Sequence, residues 1–419
     1  MDIRTPGLLS RRTRSSTQAL LCASLALASA CATPAPPTHD LVIAGGRVMD
    51  PDSGLDAVRH LGIRDGRIVA ISEVPLSGTR VIDASRLVVA PGFIDLHEHG
   101  QQDESYRMMV RDGVTSAFEL EVGTADVAAW YAARDGGQIV NYGVSVGHIP
   151  ARMKVLGDPG TGLLPSGIGG TGTATDADVS AMEAVLREGL AQGAVAVGMG
   201  SAYTPAAPVA ELSRMFRVAA DGGASVHIHL RGGLAGLMET MTMAREANAG
   251  LHVVHVNSVA RDEIGEFLSA IQAARAAGQD VTTEAYPYGA GMTEIQSALF
   301  DDWETWPDDR FAQHQLVATG ERLTRASFAQ ARRTGGTIII HNRTEAQTRA
   351  AIVSPLSMIA SDGFIEDGRG HPRTSGTYAK VLGQYVRDEG AITLMDALRR
   401  MTIEPARRLR ARAPSMAGK

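Results

Sequence analysis

Apolar positions along the chain fall into two textures. From Asp40 to about Ala90 they alternate with polar ones in short runs, among them Asp40-Leu-Val-Ile-Ala, His60-Leu-Gly-Ile-Arg, Arg67-Ile-Val-Ala-Ile, Arg80-Val-Ile-Asp and Leu87-Val-Val-Ala. Asp65-Gly66 sits between two such runs, which is a hairpin signal. A small β-domain is predicted over 40–90. From Pro91 onward, apolar runs alternate with amphipathic stretches, the pattern of a parallel α/β sheet or barrel. Candidate strands lie at 92–97, 114–122, 139–146, 194–198, 225–230, 251–256, 280–285, 337–341 and 357–360, with helices at 178–192, 262–277 and 394–409. That is one strand more than an eight-stranded barrel can hold.

Composition narrows the class. Hydrophobic residues make up 44% and charged residues 21%, enough for a large core. Net charge is −6 and no long basic run follows the N-terminus, which excludes a nucleic-acid partner that would need clustered Lys and Arg. The N-terminus reads as an export signal over 1–31. Arg4, Arg11, Arg12 and Arg14 precede an apolar stretch, 19–30, too short to span a bilayer. Ala28-Ser-Ala-Cys31 resembles a lipobox, so a lipid anchor at Cys31 is expected, with ordinary cleavage near Ala30 or Ala32 as the alternative. Either places the protein in the periplasm or on a bacterial membrane as a lipoprotein. A Pro-rich linker, 32–39, follows. Both cysteines, Cys22 and Cys31, lie in the leader, so a metal in the body must be held by nitrogen and oxygen.

The chemistry starts at Pro91-Gly-Phe-Ile-Asp-Leu-His97-Glu-His99. Side chains two apart on a strand share a face, so these imidazoles can converge on one metal where the strand ends. Active sites of barrels sit at that end. His229 and His255 each close an apolar run, Glu119 and Glu121 share a parity in Thr115-Ser-Ala-Phe-Glu-Leu-Glu-Val, and Asp362 closes Met358-Ile-Ala-Ser.

With these residues the chain resembles the amidohydrolase superfamily from about Asp40 to Lys419, and within it the N-acyl-D-amino-acid deacylase (D-aminoacylase) group. Asp112-Gly-Val-Thr, Val226-His-Ile-His-Leu-Arg231, Val254-His255, Ala285-Tyr-Pro-Tyr-Gly-Ala-Gly291 and Ser361-Asp-Gly363 followed by His371-Pro-Arg373 carry the resemblance. It implies a (β/α)8 TIM-like barrel over 91–410, one or two Zn2+ ions, and His97, His99, His229 and His255 as ligands. His227 and His252 read as packing residues or as partners of the ligands. Asp362 would touch metal and take a proton from the activated water. The group's bridging Cys is missing here, and neither Lys154 nor Lys380 ends an apolar strand to serve as a carboxylated lysine. A glutamate is left as the bridge, Glu121 before Glu119 because it lies nearer the barrel mouth.

For the substrate, the resemblance implies Arg373 as carboxylate ligand and Tyr286 and Tyr288 as pocket residues. Tyr203, Arg231 and His148 are further candidates, with Tyr288 or His148 as oxyanion donor. Asn257 stands where the group's carboxylate-binding lysine is expected. The implied reaction is zinc-assisted hydrolysis of a small amide such as an N-acyl-D-amino acid. Cyclic-amide, imide or lactone hydrolysis, as in hydantoinase-like relatives, is the alternative; a non-catalytic binding lipoprotein is the third reading. Resemblance extends through Thr402-Ile-Glu-Pro-Ala-Arg, after which closing strands of the small domain are expected. Only the tail 411–419 follows, so the small domain is expected to lack those strands.

Overall fold

The computed structural model describes residues 38–416, so the expected leader, its lipid anchor and most of the linker lie outside the described residues. Two compact units appear. One takes the chain up to Ala44 together with His60–Asp83; the other takes Gly45–Arg59 and everything from Ala84.

The N-terminal sheet comprises β1 (His39–Asp50), β2 (Leu55–Arg64), β3 (Arg67–Ser72), β4 (Gly78–Asp83) and β5 (Val88–Val89). Its order is β3-β2-β1-β4, with β5 added to β1. The Asp65-Gly66 turn joins β2 to β3 with both residues at positive φ, as a tight hairpin requires. Ile68, Val69, Ile71 and Val81 on β3 and β4 are exposed.

The second unit holds eight parallel strands: β6 (Phe93–Asp95), β7 (Val114–Thr124), β8 (Asn141–Gly147), β9 (Val197–Gly200), β10 (Val226–His229), β11 (Leu251–Val253), β12 (Val281–Ala285) and, later in the chain, β16 (Ser357–Ile359). They form a nearly closed barrel in the order β16-β12-β11-β10-β9-β8-β7-β6. The gap between its first and last strands is bridged beyond their ends. Asp95 Oδ1 accepts from the Ser361 amide at 3.0 Å, and the Asp362 amide donates to the His97 carbonyl at 2.7 Å. Alternation sorts the barrel residues. Val226 and Ile228 pack outward with the helix layer, in which Leu212, Met215, Phe216, Leu237 and Met241 are buried, while His227 and His229 have the opposite parity.

The ninth candidate strand belongs elsewhere. Between β12 and β16 lie β13 (Gly291–Glu294), β14 (His314–Leu316) and β15 (Thr337–Ile340), a separate antiparallel sheet in the order β13-β15-β14. Ile338 of β15 packs with Phe300, Trp306, Phe311 and Phe328, an aromatic core of its own. A short apolar run announces a buried strand but not the sheet it joins. The helix expected at 394–409 is two helices, Leu394–Met401 and Ile403–Leu409. Pro405 falls in the first turn of the second, where its missing N–H costs no hydrogen bond.

Candidate metal centre

Strand β7 is irregular where it matters. Its pairing with β8 jumps from Glu119↔Val144 to Thr124↔Val146, so β7 carries a wide bulge at the mouth of the barrel. Glycines make room for it: a Cβ on Gly147 would lie 1.8 Å from the Val122 carbonyl, and one on Gly198 2.5 Å from that of Glu121. Glu119 Oε1 accepts from the Val122 and Gly123 amides at 3.0 and 3.2 Å, pairing the N–H groups that the bulge releases.

Glu121 reaches the centre of the site. Its Oε2 lies 2.7 Å from His97 Nε2 and 3.3 Å from His99 Nε2; its Oε1 lies 2.9 Å from His229 Nδ1 and 3.8 Å from His255 Nε2. Asp362 Oδ1 is 3.5 Å from His97 Nε2 and 3.4 Å from His99 Nε2. Two ligand groups result, His97–His99–Glu121–Asp362 and Glu121–His229–His255, sharing Glu121. Four imidazoles and two carboxylates, with no thiolate, form a donor set that suits zinc. The far side of the ligands fits too. His97 Nδ1–H donates to Glu284 Oε1 at 2.5 Å and His99 Nδ1–H to Glu119 Oε2 at 2.5 Å, turning each Nε2 toward the centre. Glu119 therefore orients His99, and Glu121 occupies the bridging place. His255 Nδ1 is buried with no hydrogen-bond partner among the described residues.

The electrostatics call for a cation. Burial alone would lower the pKa of His97, but Asp362, Glu284 and Glu121 outweigh it and hold the imidazole well above its ordinary value. Glu121 and Asp362 are pushed up by burial and pulled further down by their basic neighbours, ending below the usual carboxylate range. For Asp362 the strongest of these is Arg373, whose Nη1 donates to Oδ2 at 2.8 Å.

A pocket of about 760 Å³, its open mouth included, lies above the ligands. Tyr203 and Tyr286 line it, and Tyr203 packs edge-on against His229 with ring centres 4.6 Å apart. Four substrate candidates lie elsewhere. Arg373 is fully buried, giving Nη1 to Asp362 and Nη2 to the Met292 carbonyl, while its Nε has no hydrogen-bond partner among the described residues. Tyr288 donates to the Gly376 carbonyl and packs on His371. His148 is buried against Glu211, which also pairs with Arg152. Arg231 turns away to the carbonyls of Pro205 and Ala207. His252 serves as a second partner of Glu284, while His227 packs against it. The sequence reading missed Glu284, although a lone acid inside the otherwise uncharged run Val281-Thr-Thr-Glu-Ala is a signal for a buried partner.

Comparison with known proteins places the chain in a family. Residues 88–412 match the model of the Amidohydrolase family. The chain is 30% identical to N-acyl-D-glutamate deacylase of Alcaligenes xylosoxydans xylosoxydans, over 88% of this chain and 83% of the relative. It resembles the crystal structure of N-acyl-D-glutamate deacylase from Bordetella bronchiseptica, complexed with zinc and a phosphonate mimic of the tetrahedral intermediate, with TM-score 0.76 and 26% identity over 88% and 86% of the two chains. A D-aminoacylase structure with a binuclear metal centre matches with TM-score 0.74 and 25% identity over the same shares. This chain belongs to the amidohydrolase family.

Proposed function

We propose that the protein is a zinc-dependent hydrolase that cleaves the amide bond of N-acyl-D-amino acids. One observation carries the reading: two ligand groups share Glu121 at the floor of a pocket that also exposes an oxygen of the Arg373-bound Asp362. His97, His99, Glu121, His229, His255 and Asp362 would hold the metal. Zinc bound there supplies Lewis acidity, lowering the pKa of water toward neutrality and polarising a carbonyl.

The chain's own groups do the rest. Arg373 keeps Asp362 ionised and fixes its Oδ2, leaving Oδ1 to accept a proton from the attacking water and return it to the departing nitrogen. Tyr203, whose pKa burial pushes well above its ordinary value, stays protonated and can donate to the developing oxyanion. Leu163, Leu164, Leu299 and Phe364 give the pocket an apolar part of its lining. With an export signal expected at 1–31, the reaction is placed outside the cytoplasm.

The test is a hydrolysis panel of N-acetyl-D- and L-amino acids and cyclic imides with the zinc-loaded protein, run beside Asp362→Asn. The D-series should be cleaved, and the variant should retain zinc but lose turnover by at least about a hundredfold. Normal turnover in the variant would sink the mechanism, and hydrolysis of the imides alone would replace the substrate class.

A further inference from the structure

Seven of the sixteen residues from Gly157 to Gly172 are glycine, the composition of a flexible connection. This segment follows the helix His148–Leu156, and its backbone is nevertheless held from three sides. Asp158 is the hub. Its Oδ1 accepts from the amides of Gly160 and Ser166 at 2.8 and 3.2 Å, and its Oδ2 from those of Gly167 and Gly169 at 2.9 and 2.7 Å. One carboxylate, with both oxygens engaged, thus gathers 158–169 into a ring.

Two further side chains fix that ring to its surroundings. Buried Arg152 takes the carbonyls at its far end, with Nε donating to Gly169 at 2.7 Å and Nη2 to Gly172. From the antiparallel sheet, Glu294 Oε1 accepts the Leu163 amide at 2.8 Å. Glycine is needed where the carboxylates approach: a Cβ on Gly160 would lie 2.8 Å from Asp158 Oδ1, and one on Gly162 2.4 Å from Glu294 Oε1. The ring presents two leucines. Leu164 is buried with Val122, Ile149 and Tyr203 and anchors the tip. Leu163 is half-buried and lines the pocket. A loop ordered before the substrate arrives leaves no ordering cost to be met at binding, whereas a glycine-rich loop without its hub would have to be ordered then.

Resting on the deacylase reading, we infer that Asp158 is a positioning residue for substrate selection: its carboxylate fixes the 158–169 ring so that Leu163 packs on the substrate's aliphatic side chain. Preference for a bulky side chain over a small one depends on that ring.

The test reads selection apart from turnover. Calorimetry on the zinc-loaded protein compares N-methanesulfonyl-D-leucine with N-methanesulfonyl-D-alanine, whose sulfonamides resist hydrolysis. The parent should bind the leucine compound about 10- to 100-fold more tightly. Asp158→Asn should cut that ratio about tenfold with zinc content at the parent's level, and Leu163→Ala should cut it as far. In the double variant the two losses should not multiply, because both act through one contact. If Asp158→Asn fails to fold, Gly160→Ala, which crowds Oδ1, takes its place. Equal binding of the two compounds by the parent overturns the inference. So do a ratio unchanged in either single variant, a loss shared equally by both compounds, and losses that multiply in the double variant. Cleavage of N-acetyl-D-leucine is measured in parallel. Its absence, with the leucine preference and its dependence on Asp158 intact, overturns the deacylase reading and leaves the positioning role standing.

Discussion

Glu284 offers the most direct test of how the metal centre is held. It is 1% exposed, and its two oxygens serve two imidazoles: Oε1 takes the proton of His97 Nδ1 at 2.5 Å, and Oε2 that of His252 Nε2 at 3.0 Å. His252 Nδ1 lies 2.8 Å from Thr282 Oγ1. Glu284→Gln removes the charge without stranding a donor. Its amide oxygen still accepts from His97, and its NH2 group can donate to His252 Nε2 once His252 moves its proton to Nδ1, facing Thr282. What disappears is the negative charge that makes His97 a stronger ligand. Partners of this kind typically contribute 10- to 100-fold in metal affinity, or about 1.4–2.7 kcal/mol. Glu284→Ala strands both imidazole N–H groups, costing about 1–3 kcal/mol each, so that variant should lose about 2–6 kcal/mol of fold stability as well. Chelator competition measures zinc affinity and calorimetry measures unfolding. The glutamine variant should weaken zinc by that factor with a melting transition near the parent's in the metal-free protein. Zinc held within twofold of the parent would refute the coupling through His97.

Two further outcomes follow from charges away from the ligands. Burial raises the Glu211 pKa, but hydrogen bonds and charge from His148 and Arg152 outweigh it and hold the carboxyl below its ordinary value. Its contribution to stability is therefore present above about pH 4.3, the unfolded value, and lost as pH falls through the lower folded pKa; Glu211→Gln should cost about 3–5 kcal/mol at neutral pH by leaving Arg152 unpaired, and should flatten the acid limb of a melting-temperature-against-pH curve. Glu294 lines the pocket, its pKa raised by burial, and an acidic group there disfavours a second carboxylate beside it, so N-acetyl-D-leucine should be cleaved faster than N-acetyl-D-glutamate. Glu294→Gln should narrow that ratio of kcat/KM about tenfold, and an unchanged ratio would show that the carboxylate does not face the side chain.

How much of this was legible depended on whether a residue's role is set by its own strand. His97, His99, His229, His255 and Asp362 fall at or just beyond strand C-termini; alternation paired the first two, the family resemblance supplied the other three, and the structure groups all five with Glu121. Glu121 followed from what was missing, a bridging cysteine or lysine. Glu119 was harder, because the bulge of β7 breaks the alternation that paired it with Glu121, and its task is set by amides the bulge frees. Arg373 was visible through its motif, whereas its pairing with Asp362 eleven residues earlier depends on how the segment after the last barrel strand folds back. Arg343 lies in a loop and Arg261 opens a single 3-10 turn, Arg261–Glu263, so neither sits in a periodic pattern, and the pocket brings them together. The strand Thr337–Ile340 was found, but its sheet was decided by aromatic packing that no local pattern encodes.

The backbone at this pocket carries a cost of its own. His255, Arg261 and Asp362 adopt left-handed conformations, with φ of 30°, 48° and 52°. Such a conformation disfavours a residue bearing a Cβ by about 1–3 kcal/mol, and glycine would relieve it. Two of the three are candidate metal ligands and the third lines the pocket, so the most accessible gains in rigidity lie where a change is expected to remove activity. Selecting this enzyme for heat resistance alone would drift toward stable, inert barrels, and any such selection has to score catalysis at every round.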